Sequence, residues 1–165
     1  ISALKSMSVN TVMLTGDNVH TAEVIAKQAG VDAFEGDLLP ADKLAKVTEL
    51  SQKGVTGMVG DGINDAPALV KADIGFAMAA FGTDTAIESA DVALMDDDLR
   101  KIPRFIKLSK ATYAILVQNI ARALGIKAVF IGLTFAGLAT MWLAVFADVG
   151  ASLIVVANGL RAMRK

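Results

Sequence analysis

Over the first hundred residues, short apolar runs alternate with stretches whose apolar positions recur at helical spacing. Thr11 to Leu14 is a β-branched and apolar run that ends in Thr15-Gly16-Asp17-Asn18, a strand followed by a turn. Thr21 to Ala29 has helical spacing and stops at Gly30. Phe34 predicts a brief strand, and Gly36-Asp37 turns away from it. Pro40 opens a helix over Ala41 to Lys53, with Leu44, Val47 and Leu50 on one face and Gly54 behind it. Val55 to Val59 reads as a buried strand, and a helix follows around Pro67 to about Lys71. Ile74 to Met78 and Val92 to Met95 are further strands, with a helix from Asp84 to Ser89 between them. The alternation predicts an α/β fold, a parallel sheet with helices on both faces.

The pattern then changes. Leu99 to Lys110 is amphipathic and basic, a connector that leads into a long apolar region by residue 118. Two spans follow, Asn119 to Gly137 and Met141 to Leu160, each near the roughly 20 residues that cross a bilayer as a helix. Lys107 and Lys110 precede the pair, and Arg161, Arg164 and Lys165 follow it as a short tail. The connection near Leu138 carries no charge, so the positive-inside rule puts both ends in the cytosol. Residues 1–110 hold 11 basic and 16 acidic residues (net −5), and the remainder 5 basic and 1 acidic (net +4). An acidic soluble part thus precedes a membrane part. No basic stripe suggests nucleic acid, and the lack of cysteine excludes disulfides and thiolate metal sites within these residues. The chain starts Ile1-Ser2-Ala3 without a basic leader, which suggests a C-terminal piece of a longer protein.

Candidate chemistry gathers in Gly60 to Leu69, GDGINDAPAL. Glycines flank Asp61 and permit a sharp turn after the strand. Asp61, Asn64 and Asp65 then crowd one loop at the carboxyl end of that strand, the usual ligand edge of an open α/β sheet. Such an oxygen-rich set suits Mg2+. An Asx-rich turn is the plainer explanation of the same residues. His20, the one histidine, has no evident role. Gly36 and Gly82 read as surface-loop glycines, and Asp96-Asp97-Asp98 as a solvated turn and helix cap.

The ten-residue string resembles the hinge motif of P-type ATPases, whose phosphorylation domain is haloacid dehalogenase-like. The resemblance implies a partial Rossmannoid parallel sheet over residues 1–98, the C-terminal part of that domain, followed by a transmembrane hairpin. It also implies roles. Thr15, in the Thr15-Gly16-Asp17 string, would hydrogen-bond the transferred phosphoryl group, and Asp17 would face nucleotide and hinge. Lys43 would neutralise the phosphate, Asn64 would help hold it, Asp61 would ligate Mg2+, and Asp65 would support that site. ATP is then the phosphoryl donor. The family's nucleophile lies in an Asp-Lys-Thr-Gly-Thr string, which does not occur here. In the family it ends an upstream strand of the same sheet, so the fragment is expected to be inactive alone and to leave a central slot. The upstream strand, the nucleotide-binding and actuator domains and the remaining membrane helices are the expected partners, with the lipid bilayer.

Lys127 and Asp148 lie 11 residues before and 10 residues after Leu138. At about 1.5 Å per residue both fall near the midplane of a ~30 Å hydrocarbon core. Spacing leaves a structural ion pair and a functional site equally open. NIARALGIKAVF and WLAVFADVGASLIVVANGLR, however, resemble the last two membrane helices of the zinc-type heavy-metal pumps. That resemblance implies a transported-metal ligand at Asp148 and a built-in counter-ion at Lys127. The expected function is ATP-driven export of Zn2+, Cd2+ or Pb2+ through an aspartyl-phosphate, in a multi-pass protein of the plasma or inner membrane with residues 1–110 cytosolic. A pump for another cation such as Cu+, or a membrane-anchored haloacid dehalogenase-like phosphatase, is the alternative.

Overall fold

A computed structural model describes residues 1–61, 63–79, 84–138 and 140–164. Gly62 and Gly82 therefore lie outside the described residues. The chain divides into two compact units, Ile1–Lys101 and Ile102–Lys165.

The first unit alternates strand and helix: α1 (Ser2–Lys5), β1 (Val12–Leu14), α2 (Val19–Ala29), β2 (Ala33–Glu35), α3 (Pro40–Lys53), β3 (Gly57–Gly60), α4 (Ala66–Lys71), β4 (Ile74–Met78), α5 (Asp84–Glu88) and β5 (Val92–Leu94). Every ladder is parallel, as the alternation predicts. The strands form two pieces, β1-β2 and β3-β4-β5, and among the described residues no ladder joins β1 to β3. One expectation is not met: Val55 is 87% exposed and lies outside the strand, which begins at Gly57. Leu69 of α4 and Ala77 of β4 are fully buried against Met58, Ile87 and Ala90. Gly75 allows this approach, since a Cβ there would stand 2.9 Å from the Leu69 carbonyl oxygen.

Helix ends follow local chemistry. The Asn18 side chain accepts from the Thr21 amide at 2.8 Å and starts α2 two residues earlier than the apolar spacing implied. Gly30, at φ 71°, ends it. Asp42 reaches back to the Leu39 amide at 2.9 Å to open α3.

Register is fixed at the amino ends of the strands by a repeated device that the sequence reading missed. An aspartate stands before each of β2, β4 and β5, and its carboxylate accepts a backbone N–H from the neighbouring strand or its approach. Asp32 takes the Thr11 amide, Asp73 the Thr56 amide and Asp91 the Gly75 amide, each at 2.8 Å. In return the Asp32 and Asp73 amides donate to the Thr11 and Thr56 carbonyls, and Asp91 donates to Gly75. A one-residue slip would break both halves of each clamp.

The second unit is a helical hairpin. α6 (Lys101–Phe135) is one continuous 35-residue helix, about 52 Å long at the usual rise. The connector and the first expected span are thus a single element, because no proline or loop signal follows Pro103 in its first turn. Gly137 at φ 70° closes it, with the Leu138 amide donating to Leu133 and the Gly137 amide to Thr134, a Schellman arrangement. The Thr140 hydroxyl caps α7 (Met141–Gly159), and a 3-10 turn follows from Leu160 to Arg164. Both helices are long and apolar enough to cross a membrane.

Asp32 supplies a test. Its hydrogen-bonded ion pair with Lys5 (2.8 Å), followed by its bonds from the Thr11 hydroxyl and amide, pulls its pKa down to about 2. A depressed carboxylate contributes stability that is fully present above its unfolded pKa, near 3.9, and is lost as pH falls through about 2. Carboxyl-carbon NMR of the labelled chain should show Asp32 titrating near 2. Titration near 4 would mean that the clamp does not hold in solution.

Candidate functional site

Two loops at the carboxyl ends of parallel strands carry the candidate chemistry of the first unit. The first, Thr15-Gly16-Asp17, joins β1 to α2 and closes on itself. The Asp17 amide donates to Thr15 Oγ1 at 3.1 Å, and that hydroxyl donates to Asp17 Oδ2 at 3.0 Å. The segment after β2 supports it from behind. The Asp37 amide donates to the Asp17 carbonyl at 2.7 Å, and the Leu38 amide to the Thr15 carbonyl at 3.1 Å. Gly36 is therefore more than a surface turn. A Cβ there would stand 2.9 Å from Val19 Cα and 3.0 Å from the Asp17 carbonyl oxygen, so only glycine lets the two loops meet. The sequence signal was the glycine directly after a short strand, and nothing in its spacing revealed the contact.

The second loop follows β3. Asp61 and Asn64 are exposed on it, while Asp65 is buried at the start of α4. Asp65 occupies the N-cap position but makes no capping bond. Its Oδ1 instead accepts from Lys43 Nζ at 2.8 Å, with the two side chains only 17% (Lys43) and 13% (Asp65) exposed. Gly60 is required beneath it, because a Cβ would lie 2.7 Å from Asp65 Cβ. The fold thus brings Lys43 of α3 to Asp65, and Thr15 to Asp17. Among the described residues no hydrogen bond or ion pair links the Thr15 loop to the Asp61–Asp65 loop.

The donor set fits Mg2+. Asp61 and Asn64 offer exposed oxygens at one strand end, with the Asp65 carboxylate behind them. Among the described residues no three His, Cys, Asp or Glu side chains converge as a cage. Mg2+ commonly uses one or two carboxylates, with water and phosphate completing its shell.

In the hairpin, Lys127 of α6 and Asp148 of α7 are both exposed. No ion pair within 4.0 Å joins them. At the hairpin's other end from the Leu138 turn, Asn158 is buried and bonded to α6: its Nδ2 donates to Asn119 Oδ1 at 2.8 Å.

A family model described as haloacid dehalogenase-like hydrolase matches residues 1–73. The chain is 54% identical over 155 residues to a probable cadmium-transporting ATPase of Listeria monocytogenes, covering 93% of this chain and 22% of that protein. It is 49% identical over 165 residues to the zinc/cadmium/lead-transporting P-type ATPase of Escherichia coli (strain K12), covering all of this chain and 22% of that one. A crystal structure of a zinc-transporting PIB-type ATPase in the E2.Pi state superposes with a TM-score of 0.93 at 49% identity. It matches 98% of this chain, which spans 26% of that structure's chain. The chain therefore spans about a fifth of the length of the curated relatives it matches.

Removing one member of a shielded ion pair leaves the other uncompensated, at a cost of roughly 3 kcal/mol. Lys43→Met should therefore speed hydrogen–deuterium exchange across residues 57–71, and adding Asp65→Leu should restore much of the protection. Unchanged exchange in the single variant would show that the pair holds nothing together.

Proposed function

We infer that this chain, which belongs to the P-type ATPases, serves an ATP-driven pump that exports Zn2+, Cd2+ or Pb2+ through an aspartyl-phosphate. The observation that carries the reading is the pairing of two features in one chain. One is a shielded Lys43–Asp65 pair behind the exposed Asp61 and Asn64. The other is a lysine and an aspartate in an otherwise apolar pair of helices.

Phosphoryl transfer rests on positioning and charge neutralisation. Lys43 has three donors, and one of them engages Asp65. The other two are free to meet phosphate oxygens, with the ammonium held in place by the carboxylate. The Thr15 hydroxyl turns from Asp17 toward a phosphoryl oxygen, and Asn64 offers its amide to another. Asp61 would hold Mg2+, and Asp65 steadies both that loop and Lys43. When bound, Mg2+ neutralises charge on the phosphate oxygens. Asp17 lines the nucleotide and hinge side. Residues 1–165 contain no Asp-Lys-Thr-Gly-Thr string, so the phosphorylated aspartate lies elsewhere in the same protein, as does the domain that binds ATP.

In the membrane, the Asp148 carboxylate binds the divalent cargo, a preference that favours Zn2+ or Cd2+ over the softer Cu+. Lys127 takes the carboxylate as counter-ion when the metal leaves, which avoids an unpaired charge in lipid. The cytosolic part is residues 1–110, the protein crosses the cell membrane several times, and the actuator and nucleotide-binding domains and further helices complete it.

The full-length parent, reconstituted in liposomes, should show ATPase activity stimulated by Zn2+, Cd2+ and Pb2+. Asp148→Ala should lower that stimulation by at least about tenfold, since loss of even a partner behind a metal ligand typically costs that much. Stimulation by Cu+ alone would overturn the metal assignment, and phosphatase activity without metal stimulation would overturn the pump. Residues 1–165 alone should hydrolyse no ATP. Hydrolysis by them that Asp61→Ala abolishes would refute the division of labour.

A further inference from the structure

We propose that Asn158 is a positioning residue that sets the register of the α6–α7 hairpin and so holds Lys127 and Asp148 at one depth on one flank. The consequence for metal binding rests on the pump reading above, whereas the register itself does not.

Asn158 is 6% exposed. Its Nδ2 donates to Asn119 Oδ1 at 2.8 Å and lies 3.5 Å from Gln118 Oε1, while its Oδ1 accepts from Arg161 Nη1 at 3.0 Å. Both hydrogen-bonding ends of the amide are engaged. Among the described residues, those from Nδ2 to Asn119 and Gln118 are the only hydrogen bonds between side chains of α6 and α7. Beside Arg122, the residues lining the cleft between the helices are Gly125, Ile126, Val129 and Phe130 of α6 and Ile154 of α7, and aliphatic contacts lose little when one helix slides along another. A single buried asparagine is a known means of fixing helix register.

The contact determines what happens deeper in the hairpin. Lys127 lies eight residues beyond Asn119, and Asp148 ten residues before Asn158. Counted along antiparallel helices, the two fall within two residues of the same height, about 3 Å at 1.5 Å per residue. Rotation agrees. At about 100° per residue, eight and ten residues carry the two side chains some 80° from the contact line in opposite senses, one on each helix. On facing helices, opposite senses point to the same flank. Lys127 and Asp148 are both exposed there. A slip of α7 by one turn would move Asp148 about 5.4 Å in depth relative to Lys127.

The experiment uses the full-length parent in liposomes, with Asn158→Leu and Asn158→Asp. The aspartate keeps the acceptor for Arg161, and Asn119 can turn its amide over to donate to it. Asn158→Leu should raise the Zn2+ concentration for half-maximal ATPase stimulation roughly five- to tenfold, the range expected for one interhelical hydrogen bond. The KM for ATP should stay unchanged, and Asn158→Asp should restore the metal response. An unchanged metal response in Asn158→Leu, beside a stimulated wild type, overturns the proposal. A wild type that no metal stimulates overturns the pump reading instead. The register is then read without activity. Ile126→Cys with Ala151→Cys, which the count places opposite each other, should join through a short bifunctional thiol reagent, as mapped by peptide mass. The yield should fall severalfold when Asn158→Leu is added, and an equal yield overturns the proposal whatever the enzyme does.

Discussion

The contact on which the first unit depends is the Lys43–Asp65 ion pair, 2.8 Å long and largely withdrawn from water. A lysine so placed would be costly without a partner, and so would an aspartate. Each therefore constrains the other: α3 must lie beside α4, and the loop after β3 must turn tightly enough to present Asp65. Gly60 permits that turn, and Leu69 secures α4 on the sheet one turn further on. Asp65 stands where a helix cap would be and bonds to Lys43 instead. The arrangement gives up a local stabilisation to hold a cation at the ligand edge of the sheet.

That edge exists because the strands are parallel and in register. The clamps of Asp32, Asp73 and Asp91 act at the opposite, amino-terminal edge. They tie each strand to its neighbour through charge-assisted bonds to backbone N–H groups, which exceed neutral ones in strength. With one edge pinned, the carboxyl ends that bear Thr15 and Asp61 are left to carry loops. Among the described residues the strands form two separate pieces, β1-β2 bearing Thr15 and β3-β4-β5 bearing Asp61.

Much of this was legible in the residues. The alternation of elements gave a parallel α/β sheet, which the ladders bear out, and the ten-residue string led to the P-type ATPases, where the relatives also lie. Elements with strong local signals kept their expected bounds, as Ile74–Met78 did. Less was legible where a contact is made across the fold. Asp73 gave no signal of its clamp, because its partner, the Thr56 amide, lies 17 positions away. Gly36 looked like a loop glycine because Val19 and Asp17 reach it only through the β1–β2 pairing. Val55 passed for a buried strand residue because periodicity records polarity and not which neighbours are present. In the hairpin, the charges at 127 and 148 stood out against apolar sequence, whereas Asn158 did not, since one amide near a helix end is unremarkable until its partners are seen.

The proposed pump joins a phosphate-handling edge to a metal site, and transport tests that link most directly. Sealed everted vesicles holding the full-length parent should accumulate radiolabelled Zn2+ when ATP and Mg2+ are supplied. Accumulation should vanish with Asp61→Asn, and separately with Asp148→Asn. ATP hydrolysis without accumulation, or accumulation indifferent to both substitutions, would contradict the account.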